Sequence, residues 1–238
     1  MKTDLKVVGV ISSPRNNGNT AALVREALKG VSQEGAQVTE VFLFDYRMEF
    51  CRGCLSCMQT GRCHLADDFT TIRDLLYGAD GIIWGSPTYG GAPNAMMKCL
   101  IDRLGMFEVS TSSLGGKYMA GISAANSAMA AVKVAKKLAQ FGNGGTFMRS
   151  YTSGWLGRGF SGGKNALEDK EGLGKAKELG MNVIRDIRSS RRYIFQNLPG
   201  RLLSSLVMKP AFRKYITKNK DGDAKFLYSN LRQRGLLS

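Results

Sequence analysis

Short apolar runs alternate with amphipathic stretches over the first two thirds of the chain. The runs at 6–11, 37–43, 81–85, 117–123 and 145–151 read as strands. The third, Gly81-Ile82-Ile83-Trp84-Gly85, is apolar almost throughout, as a strand covered on both faces must be. Apolar positions recur at helical spacing over 20–33, 68–77, 94–107 and 127–141, and again near 169–195. Asp67 stands before the second of these as an N-cap. Such alternation predicts an α/β architecture, a doubly wound parallel sheet of five strands with helices on its faces.

Past Pro199-Gly200 the pattern changes. Residues 201–216 mix apolar and basic positions around Pro210 and read as two short helices. The chain therefore divides into a sheet domain, 1–197, and a basic helical extension, 198–238. The apolar side of the extension (Leu202, Leu203, Leu206, Val207, Met208, Phe212, Tyr215, Ile216) needs a cover. Packing on the same or a neighbouring subunit is the expected one, because Pro210 interrupts the helical stripe. An amphipathic basic segment lying on a membrane is the other reading.

At 238 residues, with 43% hydrophobic and 22% charged residues, the chain has the composition of a folded globular protein. No apolar run reaches the length of a membrane span, and the first apolar stretch is too short for a secretory signal, so the expected compartment is the cytoplasm. Net charge is +15, and residues 185–238 hold thirteen Lys or Arg against three Asp. Such a field attracts nucleic acid, anionic lipid, an acidic protein or a phosphorylated cofactor, and charge alone does not choose.

Four of the five cysteines fall together. Cys51, Cys54, Cys57 and Cys63 stand in the spacing C-x2-C-x2-C-x5-C. Sulfurs two residues apart meet only if the chain wraps tightly, an arrangement suited to an iron–sulfur cubane whose irons each take one thiolate. Zinc, with His64 as a spare ligand, and unmetallated thiols remain as alternatives. Disulfides are not expected in a reducing compartment. His64 reads otherwise as a loop residue, and Cys99 as a small core residue in an apolar helix.

Three loops carry a second chemistry. Directly after the first strand comes Ser12-Ser13-Pro14-Arg15-Asn16-Asn17-Gly18-Asn19-Thr20, opening into a helix. Free amides at the helix start, the helix dipole, the side chains of Ser13, Asn19 and Thr20, the charge of Arg15 and the close approach allowed by Gly18 suit a terminal phosphate. The Walker pattern is absent. The third strand ends in a turn containing Pro87, Thr88, Tyr89 and Gly90, and the fourth runs into Asn126. All three loops lie at the carboxyl edge of the sheet, where they would cradle one planar, phosphorylated ligand. Gly157-Arg158-Gly159-Phe160-Ser161-Gly162 satisfies G-x-G-x-x-G without opening a βαβ unit, and reads as a flexible loop.

In combination, the loop from Ser13 to Thr20, the cysteine run followed by Asp67-Asp68, and the stretch from Ala79 through Thr88-Tyr89 to Asp102-Arg103 resemble the flavodoxin-like NAD(P)H-dependent FMN reductases. Within that group the cysteine spacing is similar to that of the iron–sulfur flavoproteins. The resemblance covers about residues 5–185 and leaves the basic tail unexplained. It implies FMN at the sheet edge, with Ser13, Arg15, Gly18, Asn19 and Thr20 on its phosphate and Pro87, Thr88, Tyr89, Gly90 and Asn126 on the ring and ribityl chain. It also implies a [4Fe–4S] cluster on Cys51, Cys54, Cys57 and Cys63, and a homodimer or homotetramer.

The expected function is thus a flavin oxidoreductase that couples two-electron chemistry to single-electron transfer. NAD(P)H is a candidate donor, an acidic carrier such as ferredoxin a candidate partner, and a small molecule the acceptor. Residues 155–164 are expected to close over the flavin. No general acid/base pair is visible or required. The rivals are a cluster-free FMN or quinone reductase, and a flavin-containing binding module whose tail holds nucleic acid or membrane. No nucleic-acid recognition motif is present to favour the former partner.

Overall fold

The computed structural model describes residues 4–237; the outermost ends of the two expected units, residues 1–3 and 238, lie outside the described residues. The order is β1 (Lys6–Ile11), α1 (Asn19–Gln33), β2 (Gln37–Phe42), α2 (Ser56–Thr60), α3 (Phe69–Gly78), β3 (Gly81–Tyr89), β4 (Ala92–Pro93), α4 (Ala95–Thr111), β5 (Tyr118–Ala125), α5 (Ala128–Ala139), β6 (Tyr151–Gly159) and α6 (Lys170–Arg188). The extension follows as α7 (Leu198–Leu203), a π-helical stretch (Ser204–Met208), α8 (Lys209–Lys218) and α9 (Lys225–Gln233).

Five strands are parallel in the order β2-β1-β3-β5-β6, and the two-residue β4 folds back on β3 as a hairpin. The order reverses between β1 and β3, which opens a crevice at their carboxyl ends. One apolar layer packs α1 and α6 on the sheet through Leu23, Val24, Leu28, Val183 and Ile184. The other packs α3, α4 and the inner side of α5 through Ile72, Leu76, Leu100, Leu104 and Val134, with Trp84 wholly buried at the middle of β3.

The fifth parallel strand lies later than expected, at Tyr151–Gly159 instead of 145–151. Its sequence, with three glycines, lacks the apolar run that marks a central strand, because β6 is the sheet edge. The nominal dinucleotide fingerprint therefore lies half in this strand. A Cβ at Gly157 would lie 2.1 Å from the backbone nitrogen of Val132, so the glycine serves the close approach of α5. Asp68 holds the N-cap position of α3 without a side-chain cap bond, and it is Asp67 whose Oδ1 accepts from the first helical amide, Phe69 N (3.2 Å).

Pro210 does not break the extension. Helix runs from Leu198 to Lys218, and the turn ahead of the proline widens to π geometry, which accommodates its missing N–H. The extension also has α9, unforeseen in the sequence, and a core of its own: Phe147, Ile216, Ala224, Leu227, Leu231 and Leu237. Among the described residues no helix is long and apolar enough to cross a membrane.

Candidate functional site

The crevice at the strand reversal is a pocket of about 700 Å3. Its floor begins at the loop after β1. Gly18 is the N-cap of α1 and supplies no side-chain cap, so the first amides of the helix are left for a ligand. A Cβ at Gly18 would stand 2.7 Å from Ser13 Oγ. Ser13 Oγ donates to the Arg15 carbonyl (2.8 Å), which closes the loop. Ser13, Arg15, Gly18, Asn19 and Thr20 all line the pocket. Asn19 does more than expected: its Nδ2 donates to the Lys164 carbonyl (3.4 Å) and its Oδ1 accepts from the Ala166 amide (3.0 Å), so it ties the loop after β6 to the start of α1.

Pro87, Thr88 and Tyr89 form the second wall, and Asn126 the third. Gly90 is set apart from the lining and Gly91 stands there in its place. Both glycines have positive φ (56° and 76°), the requirement of the tight turn that joins β3 to β4. Tyr89 is half exposed at the mouth. Of the expected cover over residues 155–164, only the end lines the pocket, at Phe160 and Gly162 to Lys164; the earlier part is strand. Arg15 and Lys164 are the charged lining residues, with no carboxylate beside them. That charge balance suits an anion.

A buried polar network holds the walls in register. Ser123 Oγ donates to the Ser86 carbonyl (2.6 Å) and bonds Thr88 Oγ1 (2.8 Å). Ser86 Oγ accepts from the Asn94 amide (3.0 Å). Asn94 Nδ2 donates to the Ser12 carbonyl, while its Oδ1 accepts from Met97 N (3.1 Å) as the N-cap of α4. Asn94, Ser86 and Ser123 were not singled out as site residues in the sequence. The small polar residues closing β3 and β5 are the signal that was available.

The four cysteines line a second, smaller pocket with His64, Asp102 and Arg103. Left-handed backbone at Gly53, Leu55 and Gly61 (φ 63°, 57° and 76°) produces the tight wrap around α2. Burial pushes the Cys57 thiol pKa up, and charges on Cys63, Cys51 and Cys54 push it the same way, so the sulfurs are electrostatic neighbours. Among the described residues no three His, Cys, Asp or Glu side chains form a group that could hold one metal ion. A cubane takes one thiolate on each of its irons, and the four thiols that line this one pocket are a donor set of that number. All five cysteines are free thiols. His64 is no bystander, since its Nδ1 lies 3.3 Å from Cys54 Sγ.

Behind the sulfurs, Arg103 of α4 donates to Cys63 Sγ (3.1 Å), to the Glu49 carbonyl (3.1 Å) and to Asp67 Oδ2. The Arg103 and Asp67 side chains are each 1% exposed. Burial works to raise the Asp67 pKa, but bonds from Arg103 and from the Glu49 and Phe69 amides outweigh it and hold the carboxyl below its usual range. Cys99, buried as expected, donates to the same Glu49 carbonyl (3.4 Å). The extension closes the other side. The Phe226 ring of α9 lies where a Cβ at Gly61 would stand, 2.3 Å away, and Gln59 Nε2 donates to Asp223 Oδ1 (3.1 Å).

An open, doubly wound α/β sheet with an anion-suited pocket at its switch point defines a nucleotide- or flavin-binding protein of the flavodoxin-like class. Solved structures of that class agree on the fold. A flavone reductase matches with TM-score 0.60 and 19% identity over 79% of this chain and 65% of its own. An NAD(P)H:quinone oxidoreductase from Methanothermobacter marburgensis matches with TM-score 0.56 and 15% identity over 76% and 96%. The NADPH-dependent FMN reductase family model matches residues 5–161, and the chain belongs to that family. An iron–sulfur flavoprotein of Methanocaldococcus jannaschii is 43% identical over 99 residues, 42% of this chain and 51% of its own length. One from Methanosarcina thermophila is 29% identical over 123 residues, 52% and 64% respectively. The chain spans about half the length of the curated relatives it matches.

Proposed function

We propose that the protein is an FMN-dependent oxidoreductase whose four clustered cysteines hold a [4Fe–4S] cluster. The observation that carries the reading is the carboxylate-free pocket at the strand reversal, into which the uncapped start of α1 opens. FMN exchanges electrons in pairs or singly, and a cluster singly, so the two together convert one mode to the other. The chain's own residues bind and orient. The amides at Gly18 to Thr20, the Ser13 hydroxyl, Arg15 and Lys164 would hold the phosphate, and the turn at Pro87 to Tyr89 with Asn126 would hold the ring and ribityl chain. Cys51, Cys54, Cys57 and Cys63 would hold the cluster. Helix α4 supports both sites, through Asn94 at its start and Arg103 two turns on. The free thiols suit a reducing, cytoplasmic setting, and the basic surface suits an acidic electron carrier.

The test is FMN, iron and acid-labile sulfide per chain after purification without oxygen. The expected result is one FMN with about four iron and four sulfide, and loss of iron but not FMN in Cys57→Ala. FMN without iron, even after anaerobic reconstitution, would leave a cluster-free flavin reductase. A chain that takes up no FMN would overturn the reading altogether.

A further inference from the structure

Where the extension meets the sheet domain, a pocket of about 410 Å3 opens between the 198–209 helix and the loop at 143–149. Its charged lining is Arg149, Arg201 and Lys209, with no carboxylate among them. Burial lowers the Arg149 pKa and the charge on Arg201 lowers it further, so two guanidiniums stand close together. Arg149 already donates to the carbonyls of Gln196 (3.1 Å), Arg192 (2.6 Å) and Tyr193 (2.9 Å) and so builds the wall. Arg201 donates to the Ile194 carbonyl, and Lys209 makes no ion pair among the described residues. The rest of the lining includes Phe147, Leu203 and Met208.

Beside this pocket the apolar face stays open. Phe195 is 86% exposed, Leu202 53% and Leu206 73%. Leu202, Leu203, Leu206 and Val207, at i, i+1, i+4 and i+5, share one side of the helix. Residues 198–218 carry five Lys or Arg and no Asp or Glu.

We propose that this face seats the protein on an anionic phospholipid bilayer, with Arg201 and Lys209 holding a headgroup phosphate and Phe195, Leu202 and Leu206 entering the acyl boundary. A bilayer offers phosphate and hydrocarbon side by side, which matches the pocket and the stripe together. A second copy of this chain, meeting it face to face, would set the same cations against each other. The helix is not of the length and apolarity that cross a membrane, so it lies along the surface.

The test is flotation of the full-length protein with phosphatidylcholine vesicles, with and without phosphatidylglycerol. Binding is expected only with the anionic lipid. Leu202→Glu with Leu206→Glu should weaken it at least about tenfold, and Arg201→Gln with Lys209→Gln by about as much. The leucines are exposed and the two cations half-buried, and unchanged circular dichroism and melting temperature would establish that the variants fold. No flotation at low ionic strength overturns the proposal, as does equal flotation of the glutamate pair. So does flotation that free inorganic phosphate abolishes while the apolar pair has no effect. Self-association through the stripe, or DNA binding, in place of vesicle binding would overturn it too.

Discussion

Arg103 and Asp67 are a buried ion pair, and their energetics are lopsided. Keeping both contributes little beyond an apolar pair of the same shape, but removing one leaves the other charged and dry. Arg103→Met is therefore expected to lower the unfolding free energy by about 3–5 kcal/mol, and adding Asp67→Asn to recover a good part of it. A double-mutant cycle in urea reads both, and strict additivity would show the pair uncoupled. Glu108 makes a different case. It is 3% exposed, both its oxygens accept from the Leu114 amide (3.0 and 2.9 Å), and burial pushes its pKa up to about 8. The unfolded chain releases that proton near its ordinary value of 4.5, the folded chain only near 8. Between those limits the native state binds more protons, so its stability falls as pH rises. Melting temperatures of the wild type and Glu108→Gln are expected to diverge over that window, with the variant gaining relative to the wild type. Parallel curves would place the carboxylate in its ionised form throughout. None of this was legible in the sequence. Asp67 reads as a helix cap, and its Oδ1 does serve the Phe69 amide, but its ionic partner Arg103 is 36 positions away, with no periodic pattern to connect them. The cysteines were legible because their spacing is itself the wrapping constraint.

Most elements follow their patterns, the edge strand β2 included, and the departure is at β6, the edge strand without an apolar run. Strands β1, β2, β3 and β5 and helices α1 and α3 to α5 lie within a few residues of their expected places, because apolar periodicity records contact with a core, and α6 starts as expected but ends at Arg188, short of residue 195. Strand β6 is the edge, and glycines that read as a loop are there to admit α5. Gly157→Ala is expected to cost at least about 2 kcal/mol, since its new Cβ would meet backbone that cannot rotate away. Gly174→Ala is the matched control, an exposed position inside α6 with nothing within 4 Å of the added atom, and should stabilise by about 0.5–1 kcal/mol. Denaturant melts of the two variants decide the point, and a loss at Gly174 or none at Gly157 would contradict it. The same edge explains the partial cover of the pocket: only past Gly159 does the chain leave the sheet and turn over the crevice.

At the scale of the whole molecule, the extension is a buttress for the cysteine loop. Its small core includes Phe147 from the sheet domain, and the Phe226 ring stacks on Phe107 at 5.8 Å while pressing on Gly61. Phe226→Ala should lower stability by about 2 kcal/mol and speed the reaction of Cys57 with a thiol reagent in the metal-free protein. Unaltered labelling would mean that α2 stands without its support. The sequence announced the extension by its charge and by Pro199-Gly200, but not its role, because Gly61 and Phe107, which Phe226 meets, lie more than a hundred residues upstream. The fit between Gly61 and Phe226 reaches beyond this one chain. A side chain at position 61 and a ring at position 226 exclude each other at their present spacing, so descent must conserve or exchange them together. Wherever a cognate chain retains this tail, glycine should persist at the cysteine loop; where the tail has been lost, only the left-handed backbone at that position still favours it. A side chain at that position would thus be the hereditary marker, from which the absence of the distant ring can be inferred.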